Sequence, residues 1–93
     1  MELTDIRREI DKIDAELVAL FCARMALSAQ VADYKKANGL PISVPAREEA
    51  ILRQVGEQAG AELGDYTRGL YEQIFALSRS YQEKRWEDTG VME

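Results

Sequence analysis

A long helix without a helix breaker is the feature that most constrains this fold. Apolar side chains recur at intervals of three or four residues from Ile6 to Tyr34, which is the pattern of an amphipathic helix. No glycine or proline interrupts the pattern before Asn38-Gly39, a pair typical of a helix C-terminus. We therefore predict one helix of roughly thirty or more residues, about 45–50 Å long at 1.5 Å per residue.

This helix is too long for a compact monomer of the same chain length. A compact fold of 93 residues has a radius of gyration of roughly 12 Å and a diameter of only ~30 Å. The helix therefore extends beyond its own domain and leaves its apolar stripe uncovered. A kinked, monomeric bundle would cover the stripe, but the helix has no proline or glycine at which to kink. The length mismatch favours a symmetric homodimer in which two long helices pack together.

The remainder of the chain predicts two shorter helices. Proline at a first helical position, capping residues and apolar periodicity indicate a short helix over 45–58 and a helix of medium length over 65–86. Turn residues separate these helices from each other and from the long one. We expect a single all-α domain over 1–93, with three helices per protomer, an ordered core of about 4–86 and a frayed tail over 87–93.

Composition excludes several classes of function. Twelve Lys and Arg against seventeen Asp and Glu give a net charge of −5, which is the wrong sign for a nucleic-acid partner. The chain has no histidine and one cysteine, Cys22, so we exclude Ser-His-Asp and Cys-His catalysis, a His-rich metal site and an internal disulfide. The longest uncharged apolar run, 17–23, is too short to span a bilayer. We expect a cytoplasmic protein with no membrane partner.

Cationic side chains occupy positions where core residues are expected. Continuing the stripe of the long helix in steps of four, three and four leads to Arg24, Ser28, Val31 and Lys35. Eleven residues separate the arginine from the lysine, which places them within roughly 20° of each other and ~16 Å apart along the axis. Both can therefore reach one pocket, with the serine and the valine as its floor.

The two shorter helices also carry polar groups on their inner faces. Arg47 and Glu48 head two adjacent rows of the second helix, and Ser78 and Gln82 lie four residues apart on the third. Unpaired buried charges cost several kcal/mol, and Glu48 is the one carboxylate that the pattern places near these cations. The surplus of positive charge predicts an anionic ligand, held in a reactive shape while charge develops on an oxygen.

A simpler interpretation also fits each cation taken singly. Long basic side chains commonly reach water and pair with surface acids, here Glu16, Asp33 or Glu49. The convergence of several polar groups on inner faces favours a site instead. A third interpretation, a non-catalytic helical dimerisation module, explains the long helix but gives no reason for that convergence.

Three segments resemble the all-helical AroQ class of chorismate mutases: IRREIDKIDAELVALFCARMALSAQVADYKK, PISVPAREEAIL and IFALSRSYQEKRW. The resemblance covers about residues 6–86. It implies an intertwined homodimer of three-helix protomers that has no metal or organic cofactor. It also implies rearrangement of chorismate to prephenate, on the way to phenylalanine and tyrosine.

The resemblance implies roles for seven residues. Arg24 and Ser78 match residues that bind a substrate carboxylate, and Arg47 matches an arginine near the carboxylates. Arg7 matches an arginine that reaches into the partner protomer's site and binds a carboxylate there; Arg8 is its alternative. The remaining matches concern the oxygen atoms of the substrate. Lys35 and Gln82 match the lysine and the glutamine that donate to the ether oxygen, and Lys36 is the alternative to Lys35. Glu48 matches the acid that accepts a hydrogen bond from the substrate hydroxyl.

The segment SYQEKRW also resembles a neighbouring branch, the isochorismate-pyruvate lyases of salicylate synthesis, which share the fold and the cationic site. We expect that branch to lack the acid after the second-helix arginine and to carry an aromatic residue at the position of Ser78. Glu48 and Ser78 therefore favour the mutase. Val44 stands where a bacterial mutase has aspartate, but the contact implied there is a main-chain N–H, which valine also provides.

Overall fold

The fold consists of two long helical elements joined by one loop. The computed structural model describes residues 1–91, and within them helix α1 spans Leu3–Ala37 and helix α2 spans Pro45–Val91. No strand occurs in this part of the chain. The predicted all-α class is therefore confirmed.

Helix α1 is the long helix that the sequence predicts. Its 35 residues run without a break. Asn38 caps its C-terminus, where the backbone N–H donates to the carbonyl of Tyr34 over 3.1 Å. Gly39 follows with φ 66°, a left-handed conformation that glycine adopts without steric cost. Helix α1 therefore ends just before Asn38-Gly39, as the sequence predicts.

The prediction of three helices is wrong in one respect, because the second and third form a single element. Only Gly60 departs from helical geometry inside α2, with φ 87° and ψ 173°. We call the segments on either side of it the first arm (45–59) and the second arm (61–91). The loop predicted between the second and third helices is absent because one glycine is enough to reverse the chain, after which Gly64 and Asp65 are already helical.

The two arms fold back against each other. A Cβ atom built on Gly64 would lie 3.0 Å from the carbonyl oxygen of Gly56, so the backbones approach closely just after the reversal. Further along, Glu48 of the first arm meets Arg79 of the second. The second arm continues past its predicted end near Trp86 to Val91. Of the predicted frayed tail, residues 92 and 93 lie outside the described residues.

The second arm runs parallel to the C-terminal half of α1. Three contacts recur at a constant offset of 54 residues along the two helices. They join Arg24 to Ser78, Ser28 to Gln82 and Ala32 to Trp86. This parallel packing places residues 24–35 of α1 opposite the polar residues of the second arm.

The N-terminal half of α1 has almost no cover within its own chain. All of residues 1–20 are exposed except the half-buried Asp5. The radius of gyration is 16.7 Å, against roughly 12 Å for a compact chain of this length. The accessible surface is 7246 Å², whereas a compact monomer of 10.5 kDa exposes about 5,400 Å². The predicted overhang is thus present, with an excess surface of about 1,800 Å².

Helix α1 is also apolar enough to meet a simple criterion for a membrane span. Its most apolar stretch has a mean hydropathy of 1.4, and 11% of that stretch is buried within the chain. The criterion considers length and composition alone, and a helix buried between two subunits satisfies it equally well. The expectation of no membrane partner stays a prediction.

Candidate active site

One cavity gathers six of the seven residues expected to form a site. It has a volume of about 330 Å³, is open to solvent, and is lined by the C-terminal half of α1, the loop after it and both arms of α2. Ser28 and Val31 lie in its lining, as the helical spacing predicts. The six expected residues in the lining are Arg24, Lys35, Arg47, Glu48, Ser78 and Gln82.

Arg24 is held by a hydroxyl and two aromatic rings. Its Nη1 donates to Oγ of Ser78 over 3.2 Å. The guanidinium carbon lies 5.7 Å from the ring centre of Phe75 and 5.8 Å from that of Tyr71, within the range of cation–π attraction. These two rings therefore also restrict the arginine that faces the cavity.

Gln82 is a buried amide with a fixed orientation. Its exposed fraction is 7%, and Nε2 donates to the backbone carbonyl of Ser28 over 3.0 Å. A primary amide nitrogen carries two hydrogens, so one N–H bond remains for another acceptor. The hydrogen bond to Ser28 thus fixes the orientation of the amide, and the amide keeps one free N–H donor beside the cavity.

Lys35 is fixed by the loop that follows its helix. Its Nζ donates to the carbonyl of Ile42 over 2.8 Å, and both residues line the cavity. An ammonium group has three donors, so two remain. Lys36 points elsewhere, since its Nζ donates to the carbonyl of Trp86 over 3.0 Å. Of the two candidate lysines, Lys35 is the one in the cavity lining.

Glu48 is paired with a residue that the sequence analysis missed. Nη1 of Arg79 lies 2.7 Å from Oε1 and 2.6 Å from Oε2 of Glu48, and Arg79 also lines the cavity. Arg79 follows Ser78 and precedes Gln82 by three residues, so it starts on a neighbouring row of the same helix. The sequence pointed to such a partner only in that Glu48 faces inward and had no residue assigned to it. Which residue pairs with it depends on how the two arms fold together.

The cavity is strongly cationic. Four positive side chains and one carboxylate line it, which leaves a surplus of three positive charges. No acid of the described residues lies within ion-pair distance of Arg24, Lys35 or Arg47. The expected surplus is therefore present, and an anionic ligand would meet three cations without an acidic partner.

The alternative pairing of these cations with surface acids is not found. Asp33 instead accepts two hydrogen bonds of 2.7 Å from Arg85, outside the cavity. The hydrogen bond from that guanidinium holds the pKa of Asp33 below its ordinary value. Within residues 1–91 no group of three or more His, Cys, Asp or Glu side chains is placed to hold a metal ion.

Arg7 is the one expected site residue that the chain does not bring to the cavity. It is exposed and lies seventeen residues before Arg24, which corresponds to ~26 Å along α1. Its alternative, Arg8, pairs with Asp5 over 3.3 Å on the helix surface. Neither arginine can reach the cavity of its own chain.

Comparison with known proteins agrees with this geometry. The family model "Chorismate mutase type II" matches residues 6–83. A chorismate mutase of Methanocaldococcus jannaschii is 32% identical over 89 residues, which cover 89% of this chain and 90% of that protein. The T-protein of Haemophilus influenzae is 48% identical over 61 residues, or 62% of this chain and 16% of that protein.

A third relative is the bifunctional chorismate mutase/prephenate dehydratase of Aquifex aeolicus, which is 39% identical over 54 residues, or 58% of this chain and 15% of that protein. The chain thus spans about one sixth of the length of the T-protein and of the bifunctional enzyme. No solved structure matches the chain significantly. The family match covers most of the chain and every residue of the cavity lining, so the protein belongs to the chorismate mutase type II family.

Proposed function

We propose that this protein is a chorismate mutase that rearranges chorismate to prephenate. The observation that carries the proposal is the cavity with a surplus of three positive charges, because the substrate has two carboxylates and a breaking C–O bond. One C–O bond breaks and one C–C bond forms within a single molecule, so the reaction needs no cofactor or co-reactant. The enzyme's task is to hold the substrate in its reactive shape and stabilise developing charge.

Arginine side chains bind the substrate carboxylates in this proposal. Arg24 and Ser78 bind one carboxylate together, since the hydrogen bond between them already sets their spacing. Arg47 contributes from the first arm, where it has no acidic partner within the described residues. Guanidinium groups suit this work because their planar donors match a carboxylate.

Lys35 and Gln82 stabilise the ether oxygen as the C–O bond breaks. Each already donates one hydrogen bond to a backbone carbonyl and keeps further donors. Donors that are oriented before the reaction stabilise new charge without reorganising during it. Glu48 accepts the hydrogen bond of the ring hydroxyl, and Val44, which also lines the cavity, offers a main-chain N–H nearby.

We further propose that the active form is an intertwined homodimer. The exposed half of α1 carries apolar side chains with half or more of their surface in water, among them Ile13, Leu17 and Leu20. The excess surface of about 1,800 Å² matches the burial per subunit of an obligate dimer. Antiparallel pairing of two α1 helices brings Arg7 of one protomer toward the other's cavity, where it binds a carboxylate.

Such a dimer also covers the apolar stretch of α1, which supports a cytoplasmic enzyme with no membrane partner. The names of the relatives place their activities around chorismate and prephenate. We infer that this chain serves the same part of metabolism, the synthesis of aromatic amino acids.

The test is the disappearance of chorismate and the appearance of prephenate on adding purified protein. Arg24→Ala and Lys35→Ala are expected to lower kcat/KM by about 100- to 1,000-fold, the usual effect of removing a preorganised donor. Lys36→Ala is the matched control, because that neighbouring ammonium does not line the cavity. Unchanged chorismate refutes the proposal, and conversion of isochorismate to salicylate and pyruvate would assign the lyase activity instead.

A further inference from the structure

Among the described residues, Arg79 forms the one ion pair that lies inside the cavity lining. A single nitrogen, Nη1, contacts both carboxylate oxygens of Glu48, at 2.7 and 2.6 Å. The two side chains are 35% and 27% exposed, so water screens the pair only in part. The residues come from different arms of α2, which means that the pair forms only when the chain reverses at Gly60.

We propose that Arg79 is a positioning residue that aims the carboxylate of Glu48 at the substrate hydroxyl. The inference rests on the proposed function, in which Glu48 accepts that hydrogen bond. Arg79 itself is not assigned a contact with the substrate. Its effect on the reaction passes through Glu48.

The charge distribution of the cavity requires such a partner. Three further cations, Arg24, Lys35 and Arg47, share the space with the single carboxylate. Without Arg79, these cations would draw Glu48 away from the direction in which its carboxylate meets the substrate hydroxyl. Pairing with Arg79 holds the carboxylate in that direction.

The geometry leaves Glu48 able to accept a further hydrogen bond. An ionised carboxylate has about four lone-pair positions, and the contacts with Arg79 use one on each oxygen. The remaining positions can accept from a hydroxyl. Both contacts come from one nitrogen, so the ammonium group of a lysine at position 79 can reproduce them. A lysine could not replace an arginine that binds a carboxylate through two nitrogens.

The structure offers a matched control for this residue. Arg85 lies six positions further along the second arm and also pairs with a carboxylate of another helical segment, that of Asp33. This second pair lies outside the cavity lining. Arg85→Gln therefore removes a bridge of the same chemistry while leaving the cavity intact.

The experiment measures kcat/KM of Arg79→Gln, Arg79→Lys and Arg85→Gln with two substrates, chorismate and an analogue that lacks the ring hydroxyl. With chorismate we expect Arg79→Gln to lose about 10- to 100-fold, Arg79→Lys to stay within about fivefold of the parent, and Arg85→Gln within about twofold. With the analogue, all three should stay within about twofold, because no hydroxyl remains for Glu48 to accept.

Combining Arg79→Gln with Glu48→Gln gives a second test. If the arginine acts through Glu48, the double variant should be no slower with chorismate than Glu48→Gln alone. Equal losses with both substrates, or additive losses in the double variant, would overturn the inference, as would equal rates for Arg79→Gln and Arg85→Gln. A parent protein without mutase activity would instead refute the proposed function, and the inference with it.

Discussion

Truncation of Leu17 is expected to weaken the proposed dimer by a predictable amount. Leu17 lies in the uncovered half of α1 with 57% of its surface exposed. Burying a whole leucine side chain is worth about 1.5–3 kcal/mol, so burying this remaining fraction contributes about 1–1.7 kcal/mol per copy. A symmetric dimer contains the residue twice. Leu17→Ala should therefore cost about 2–3 kcal/mol, which raises the dimer Kd about 30- to 150-fold.

Sedimentation velocity over a dilution series measures this Kd directly. Leu63→Ala is the control, because Leu63 is equally exposed, at 55%, but lies in the second arm next to the chain reversal. Its Kd is expected to stay within about twofold of the parent. The specific activity of Leu17→Ala should also fall on dilution, since in the proposed dimer each site needs Arg7 of the partner. A parent protein that sediments as a monomer, or equal Kd values for the two variants, would refute the reasoning.

Two further predictions concern the shared site and the chain reversal. A mixture of Arg7→Ala and Arg24→Ala should recover about one quarter of the parent activity, since half of randomly formed dimers are mixed and one of the two sites in each mixed dimer is intact. As a control, mixing Arg24→Ala with Lys35→Ala should recover no activity, because neither site is then intact. Gly60→Ala should lower the free energy of unfolding in urea by about 1–3 kcal/mol, because φ 87° and ψ 173° suit only glycine. The control Gly69→Ala, where an added Cβ meets no atom within 4 Å, should not be destabilised.

Local patterns in the sequence were enough to predict the parts of the fold that depend on neighbouring residues. The length of α1 follows from its periodicity and from Asn38-Gly39, and Pro45 begins α2 as its fixed φ suggests. The helix count was overestimated because Gly64 resembles a loop residue. In the structure it remains helical, and its missing side chain lets the backbone of Gly56 approach.

The candidate site was predictable as a set of residues but not as a network. Helical spacing correctly places Arg24 and Lys35 on one cavity, with the polar groups of α2 opposite. The ion pair between Glu48 and Arg79 was missed, since it depends on the direction in which the arms cross. The role of Arg7 stays a prediction, because residues of a second protomer are needed to test it.

In the proposed dimer, the first half of helix α1 pairs the subunits and its second half lines the cavity, so one continuous helix couples the two. Inserting one residue after Leu20 would turn the first half by about 100° relative to the second, so the stripe and the cavity residues would no longer share a phase. A seven-residue insertion would nearly restore the phase, with a residual rotation of ~20°. The proposed dimer therefore tolerates changes in the length of α1 only in whole steps of the helical repeat, and its subunit pairing and ligand binding cannot vary independently along this segment.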